Sequence, residues 1–334
     1  MRNYYMSKKF VHNLFFVIGI TAVIYLIYTF DLSWSEVVSH VTKGGIYFPL
    51  IIILWFFIYL VNTCSWNRIV KGLKGNTIPF RKLYRYTVSG FALNYVTPGG
   101  LMGGELYRIL KLKPYLGSAG ASSSTLLYVV CHIGSHLMFW FIAAVVLLFH
   151  PLQGLSSSLL WIVLCLLSLL ALFFHLAMRY GVVELMGRLL RYLPFINRRS
   201  GFVVKLKETF KLIDEEVRDF YLSNSKNFWS AFFLEFTARI IGCLEVWLLL
   251  IPFEGFTSFS ISFLVMAISS LFANILFFMP MQIGGREGGF ALAFSLLSLP
   301  ASYGVLIALL TRLREFVWIV IGVLYMKWSG DKTD

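Results

Sequence analysis

The chain has few charged residues and no long polar region. Asp, Glu, Lys and Arg make up 13% of its 334 residues, whereas soluble domains average about 25%. The longest polar stretch, residues 181–227, is too short for a separate catalytic domain. This composition excludes an ordinary soluble protein. It also disfavours an enzyme, because most membrane-anchored enzymes carry their catalytic groups in a soluble domain.

Cysteine pairs, metal motifs and catalytic motifs are also scarce. The four cysteines show no C-x-x-C spacing, which argues against a disulfide framework or a zinc cluster. His132 and His136 have a spacing that can hold a metal, but no H-E-x-x-H pattern surrounds them. No Walker loop, G-x-S-x-G or dinucleotide-binding motif stands in a suitable setting. We therefore expect neither a metal nor a cofactor.

Long apolar runs are what the chain has instead. Apolar residues make up 58% of the sequence and aromatic residues 17%. Six runs approach the roughly 20 residues that a helix needs to cross a bilayer. These runs cover about residues 10–30, 46–66, 120–149, 159–178, 228–252 and 303–327. The sequence predicts an all-α polytopic membrane protein, with a single membrane domain over residues 1–334.

The net charge of +13 is unevenly distributed between the connections. Basic residues precede the first run and follow the second and fourth, whereas the other short connections carry almost none. This alternation is typical of the positive-inside rule and predicts that both termini are cytoplasmic. It also argues against nucleic-acid binding. Residues 181–227 are predicted to be a basic, amphipathic segment on the cytoplasmic side.

Two glycine-rich motifs interrupt the apolar pattern. Residues 98–105 read Pro-Gly-Gly-Leu-Met-Gly-Gly-Glu, and residues 280–287 read Pro-Met-Gln-Ile-Gly-Gly-Arg-Glu. An asparagine precedes each motif, at Asn94 and at Asn274. Matched breaks of this kind in two parts of a membrane protein indicate a transporter-type binding site near the bilayer midplane.

The motifs and the charge alternation together predict an inverted repeat. The first repeat covers about residues 46–149 and the second about 228–328, linked by the segment 181–227. Each motif then forms a broken or re-entrant helical hairpin beside about six full spans. If both hairpins cross the membrane instead, the protein has eight or more spans.

The motifs contain residue types that bind an anion inside a membrane. Glycine lets backbone N–H groups approach a ligand, the N-terminus of a half-helix attracts phosphate, and arginine adds bidentate contacts. The alternative is that the glycines serve only close helix packing. The predicted substrate-binding residues are Asn94, Pro98, Gly99, Gly100, Gly103, Gly104, Glu105, Arg108, Asn274, Pro280, Gly284, Gly285, Arg286, Glu287 and Arg312.

Other ionisable residues lie within the apolar runs, where they are functional candidates by default. Glu235 and Arg239 are four residues apart, and Arg312 and Glu315 are three apart, so each pair shares one face of a helix. Such residues either couple transport to another event or neutralise one another structurally. The predicted coupling or structural charge pairs are Glu235, Arg239, Glu315, His132 and His136.

The two motifs, with Asn94 before the first and Arg312 after the second, resemble the signature regions of the lysylphosphatidylglycerol synthase transmembrane family. This family is also called the flippase-like domain family, and the resemblance covers about residues 10–328. In full-length synthases the membrane module precedes a soluble aminoacyl-tRNA-dependent transferase, so we expect a stand-alone member without that domain. Many members carry an acidic–basic pair on the span after the first motif. This chain has Cys131, His132 and His136 there.

The resemblance implies a flippase that moves an aminoacylated or otherwise modified anionic phospholipid between the leaflets of a bacterial-type plasma (inner) membrane. The expected partners are a phospholipid or polyprenyl lipid, a lipid-modifying enzyme, and a second copy of the chain in a homodimer. Two alternatives come from other classes. One is an integral membrane transferase that uses a polyprenyl- or lipid-linked donor, and the other is an accessory subunit of a lipid-modifying enzyme.

Overall fold

The computed structural model describes residues 42, 45–73, 77–96, 103–149, 156–181, 213–254, 258–275 and 285–328. Within these ranges the chain forms helices and no β-strand. The helices are α1 (Tyr47–Gly72), α2 (Phe80–Val96), α3 (Gly103–Phe149), α4 (Ser157–Tyr180), α5 (213–223), α6 (Ser225–Glu254), α7 (Phe259–Ile275), α8 (Gly285–Leu296) and α9 (Ala301–Trp328).

Three of the described helices, α1, α3 and α4, are long and apolar enough to cross a membrane. They coincide with the runs predicted at 46–66, 120–149 and 159–178. Helices α6 and α9 lie where spans were predicted at 228–252 and 303–327, but several buried glutamates and arginines lower their apolar character. The all-helical membrane class is therefore confirmed. The number of spans stays a prediction, and the run at 10–30 lies outside the described residues.

A single non-helical residue divides α3 into two parts. Gly117 has φ 72° and ψ −178°, and a side chain rarely tolerates this positive φ. Pro114 lies just before it and cannot donate a backbone hydrogen bond in the last turn of the first part. The two parts, 103–116 and 118–149, correspond to the arm predicted after the first motif and to the span that follows it.

Helices α1 and α6 pack along each other and join the two predicted repeats. Ser65 on α1 donates a hydrogen bond to the carbonyl oxygen of Ala231 on α6, at 2.9 Å. Helix α2 packs against α9, where the hydroxyl of Ser89 donates to the carbonyl of Gly322 at 2.9 Å. Helix α3 packs against α6, and α8 packs against both α7 and α9. The helices that make these contacts surround the described residues of the two motifs.

Helix α4 lies at the edge of the bundle and packs against α3. In its most apolar part only 17% of the residues are buried, and it exposes leucines such as Leu166 and Leu169. An exposed apolar face on a membrane helix faces the lipid tails.

Helix α5 contacts both α4 and α1. The ring nitrogen Nδ1 of His175 on α4 lies 2.8 Å from the Tyr221 hydroxyl on α5. The side-chain amide of Asn224, just after α5, donates to the carbonyl of Gly72 on α1 at 2.8 Å. This bond satisfies one of the carbonyls left without a partner at a helix C-terminus.

Candidate functional site

A cavity of about 310 Å³, with several charged side chains in a largely apolar wall, lies between six helices, α1, α2, α3, α6, α7 and α8. Its volume is at the low end of the roughly 300–1,000 Å³ range of small-molecule sites, so a ligand the size of a lipid headgroup fits. The charged, imidazole and amide side chains in its wall are Asn62, Asn94, His132, His136, Glu235, Arg239, Glu245, Asn274 and Arg286. Polar groups of this kind are costly in a membrane protein and mark substrate or ion paths.

Hydrogen bonds connect Asn94 on α2 to the part of the first motif that begins α3. The side-chain oxygen of Asn94 accepts a bond from the Gly104 backbone N–H at 2.8 Å, and its amide donates to Glu105 Oε1 at 3.0 Å. Glu105 Oε1 also accepts from Arg108 Nη1, at 3.1 Å. A Cβ atom at Gly104 would stand 2.1 Å from the carbonyl oxygen of Gly90 on α2. The glycine is therefore required because α2 and α3 approach so closely.

Arg108 is enclosed by aromatic rings instead of lining the cavity. Arg108 is 1% exposed. Its guanidinium carbon lies 4.8 Å from the ring centre of Phe91, 5.0 Å from that of Tyr128 and 5.6 Å from that of Trp66. Ring faces attract a cation, and the attraction grows when the cation is desolvated. Gly90 leaves room for the side chain, since a Cβ there would stand 2.5 Å from Arg108 Nε. The sequence analysis did not single out Gly90 or these rings.

The second motif is tied to α9 by two reciprocal ion pairs. Arg286 on α8 donates to Glu315, and Arg312 donates to Glu287 through both Nε and Nη2, the latter at 3.0 Å. The hydrogen bonds of both pairs run between helices, although Arg312 and Glu315 share a face of α9. Of the arginines predicted to meet a phosphate, Arg286 lines the cavity, whereas Arg108 and Arg312 lie outside its wall.

A third ion pair, between Glu245 on α6 and Arg314 on α9, extends this network. Arg314 Nε and Nη2 donate to the two oxygens of Glu245 at 2.8 and 3.0 Å, and both side chains are almost fully buried. The indole of Trp55 donates to Glu245 at 2.8 Å and stacks 3.7 Å from the Arg314 guanidinium. Arg314 Nη1 also lies 3.8 Å from Glu315. The predicted site residues did not include Glu245 or Arg314.

Helices α3 and α6 bring the two histidines against Glu235 and Arg239. His132 Nδ1 lies 2.8 Å from Glu235 Oε2, and Arg239 Nη1 lies 2.8 Å from His136 Nδ1. The i,i+4 spacing of Glu235 and Arg239 suggests a pair within α6, but each turns to a histidine of α3. Within the described ranges, no three His, Cys, Asp or Glu side chains are grouped as ligands for a metal.

Five of the predicted residues, Pro98, Gly99, Gly100, Pro280 and Gly284, lie outside the described residues. Helices α3 and α8 begin after the two breaks, at Gly103 and Gly285. Each therefore carries its motif glutamate in the first helical turn, where negative charge complements the helix dipole. Asn274, at the end of α7, donates to the carbonyl of Ser270 at 2.8 Å and lines the cavity.

Comparison with known protein families shows to which family the chain belongs. The sequence of residues 16–322 matches the lysylphosphatidylglycerol synthase TM region. The chain belongs to this family. The match includes both motifs and every helix that lines the cavity, so the resemblance expected from the motif residues is confirmed.

The chain is also similar to a known membrane protein. The UPF0104 membrane protein MJ1595 of Methanocaldococcus jannaschii is 24% identical over 281 residues, which cover 81% of each chain. No solved structure matches the chain. Together with the apolar helices, the lysylphosphatidylglycerol synthase TM family indicates a membrane protein with a role related to lipids.

Proposed function

We propose that the protein moves a phospholipid with a charged headgroup, an aminoacylated or otherwise modified anionic phospholipid, between the two leaflets of the membrane. The observation that carries this proposal is the charged cavity between apolar helices. A charged group is strongly disfavoured in hydrocarbon. A wall with carboxylates, guanidinium groups and amides stabilises the headgroup during its crossing, while the acyl chains stay in the lipid.

The proposal includes an inverted repeat of residues 46–149 and 228–328. A two-fold axis relating them exchanges α1 with α6, α2 with α7, and α3 with α8 and α9. Such an axis maps the contact of α1 with α6 onto itself, and the contact of α2 with α9 onto that of α7 with α3. All three contacts are present. In this proposal both termini are cytoplasmic, and the protein resides in a bacterial-type plasma membrane.

The direct test is leaflet exchange in liposomes that contain the purified protein. Lysylphosphatidylglycerol is placed in the inner leaflet, and its amine is labelled from outside with a reagent that cannot cross the membrane. We expect labelling that depends on the protein. We also expect its loss in Glu287→Gln, because the neutral amide removes the charge that holds Arg312. Arg179→Gln is the matched control, since Arg179 is exposed at the end of α4.

Two results would contradict the proposal. One is the absence of exchange for a panel that also includes phosphatidylglycerol and a polyprenyl phosphate. The other is formation of a new lipid product by the protein in detergent, where no leaflets exist. The second result would favour the transferase.

A further inference from the structure

Arg239 differs from the other interior arginines in its partners. Arg108, Arg286, Arg312 and Arg314 each bond a glutamate. Within the described part of the chain, Arg239 forms no ion pair with a carboxylate, and its guanidinium belongs to the wall of the central cavity. Glu235 acts on this charge electrostatically from one helical turn away, without a hydrogen bond to it. An interior charge that lacks a hydrogen-bonded counter-charge is disfavoured, so the position favours an anion that enters the cavity.

Neutral groups of α3 hold Arg239 in place. Its Nε and Nη2 donate to Ser135 Oγ at 3.3 and 3.0 Å, and Nη2 also donates to the carbonyl of His132 at 3.3 Å. The Ser135 hydroxyl donates its own proton to that carbonyl at 2.7 Å, which leaves its lone pairs for Arg239. These bonds fix the guanidinium without cancelling its charge.

The remaining contact of Arg239 also leaves the charge uncancelled. Because Nη1 donates to His136 Nδ1, that nitrogen accepts and the ring is in the neutral form with its proton on Nε2. A guanidinium has five N–H groups, and the four bonds described here leave one N–H of Nη1. Glu235, one helical turn earlier, bonds His132 at 2.8 Å. The nearest carboxylate along α6 is therefore hydrogen-bonded through Oε2 to a histidine of α3 and not to Arg239.

We infer that Arg239 binds the phosphate group of the ligand, a monoester or diester anion. This assignment rests on the proposed function and names the residue that recognises the cargo. Arginine suits the role because its charge is permanent, and because the bonds to α3 fix the guanidinium while one N–H of Nη1 is left to donate to a phosphate oxygen. Held by α3 and facing the cavity, it needs no rearrangement to receive the anion. A lipid headgroup and free phosphate share this chemistry, and the experiment separates them.

The experiment measures binding by calorimetry, with the full chain in detergent micelles. The probes are dihexanoylphosphatidylglycerol, dihexanoylglycerol with the same acyl chains but no phosphate, and inorganic phosphate. We expect the wild-type protein to bind the first probe and not the second. Arg239→Gln should weaken binding by roughly tenfold or more, the usual effect of losing a hydrogen bond to a charged group. Arg179→Gln should bind as the wild type does.

Arg239→Lys covers the case in which Arg239→Gln does not fold. It keeps the charge but loses the planar fork, and we expect affinity to fall by roughly fivefold. Wild-type affinity in Arg239→Lys or in a folded Arg239→Gln would overturn the assignment. Equal affinity for dihexanoylglycerol would overturn it too. Inorganic phosphate that competes at similar concentration supports a soluble anion as ligand, and failure to compete supports a lipid headgroup.

Leaflet exchange separates this assignment from the proposed function. Exchange that is intact in Arg239→Gln but lost in Glu287→Gln would overturn the phosphate site and leave translocation standing. Binding that depends on Arg239, in a protein whose wild type exchanges no lipid, would overturn translocation and leave the phosphate site standing.

Discussion

The two glycine motifs differ at the residue before the glutamate, which is Gly104 in the first and Arg286 in the second. At the first motif, α2 and α3 approach so closely that a Cβ would stand 2.1 Å from a backbone oxygen. Only glycine fits there. At the second, the same position carries a long cationic side chain that lines the cavity and bonds Glu315 on the neighbouring helix.

The first motif is thus held by backbone contact and by rings, and the second by charge. The bonds of Asn94 to Gly104 and Glu105 join α2 to the start of α3, and the Arg108–Glu105 pair lies within α3. The bonds of Arg286 and Glu287 instead reach α9. The same type of motif therefore forms a close packing contact in the first repeat and a set of ion pairs beside a cavity in the second. Substitutions should affect mainly folding at the first motif, and both folding and transport at the second.

The largest expected effect tests the charged side of this comparison. Glu245→Ala leaves Arg314 buried without its main partner, and breaking a buried pair in this way typically costs about 3–5 kcal/mol. We expect that loss in the free energy of unfolding, measured by circular dichroism during titration with a denaturing detergent. Glu245→Gln should lose less because it keeps an acceptor for Trp55. A loss below about 1 kcal/mol in Glu245→Ala would show that charge does not hold this region.

A smaller effect is expected at the closely packed side. Gly104→Ala places a methyl group against the Gly90 carbonyl, and overpacking of this kind costs about 1–3 kcal/mol. Gly242→Ala is the matched control, because a Cβ there meets nothing within 4 Å. Alanine should stabilise the helix at that position by up to about 1 kcal/mol. Similar unfolding midpoints for the two variants would contradict the close approach of α2 and α3.

The smallest expected effect compares the two motif glutamates directly. A double-mutant cycle with Glu287→Gln and Arg312→Gln measures the coupling energy of the ion pair at the second motif. A cycle with Glu105→Gln and Arg108→Gln measures the coupling energy of the pair at the first motif. Couplings within an ion pair are about 0.5–3 kcal/mol. We expect the first to be larger by about 1 kcal/mol, because Arg312 bonds both oxygens of Glu287, whereas rings also hold Arg108. Equal coupling energies would contradict the conclusion that ion pairing contributes more at the second motif than at the first.

Composition predicted the helices: the run at 159–178 became α4 (157–180). Glu105 and Arg108, three residues apart, form a pair within α3. Spacing failed where two helices present matching pairs. Glu235 and Arg239 on α6 face His132 and His136 on α3, which have the same spacing, so the bonds form between the helices. A single sequence does not reveal which helices are neighbours.

The parts of the site that were missed depend on tertiary packing in the same way. Gly90 has no motif of its own, and its role arises only because Arg108 folds back against α2. Glu245 and Arg314 are functional candidates as intramembrane charges, but their pairing arises only because α6 and α9 bring them together. Trp55, on a third helix, completes their environment. A tryptophan in an apolar run gives no sign that it will donate to a buried carboxylate.

The interior charges also determine how the protein responds to voltage. Around the cavity and the two motifs, five carboxylates stand against five guanidinium groups. They are Glu105, Glu235, Glu245, Glu287 and Glu315 with Arg108, Arg239, Arg286, Arg312 and Arg314. These ten groups together carry no net charge, so a movement that keeps them together transfers none of their charge through the bilayer. A membrane potential, worth about 2.3 kcal/mol per unit charge for each 100 mV, then acts on the charge of the cargo and not on this balanced set.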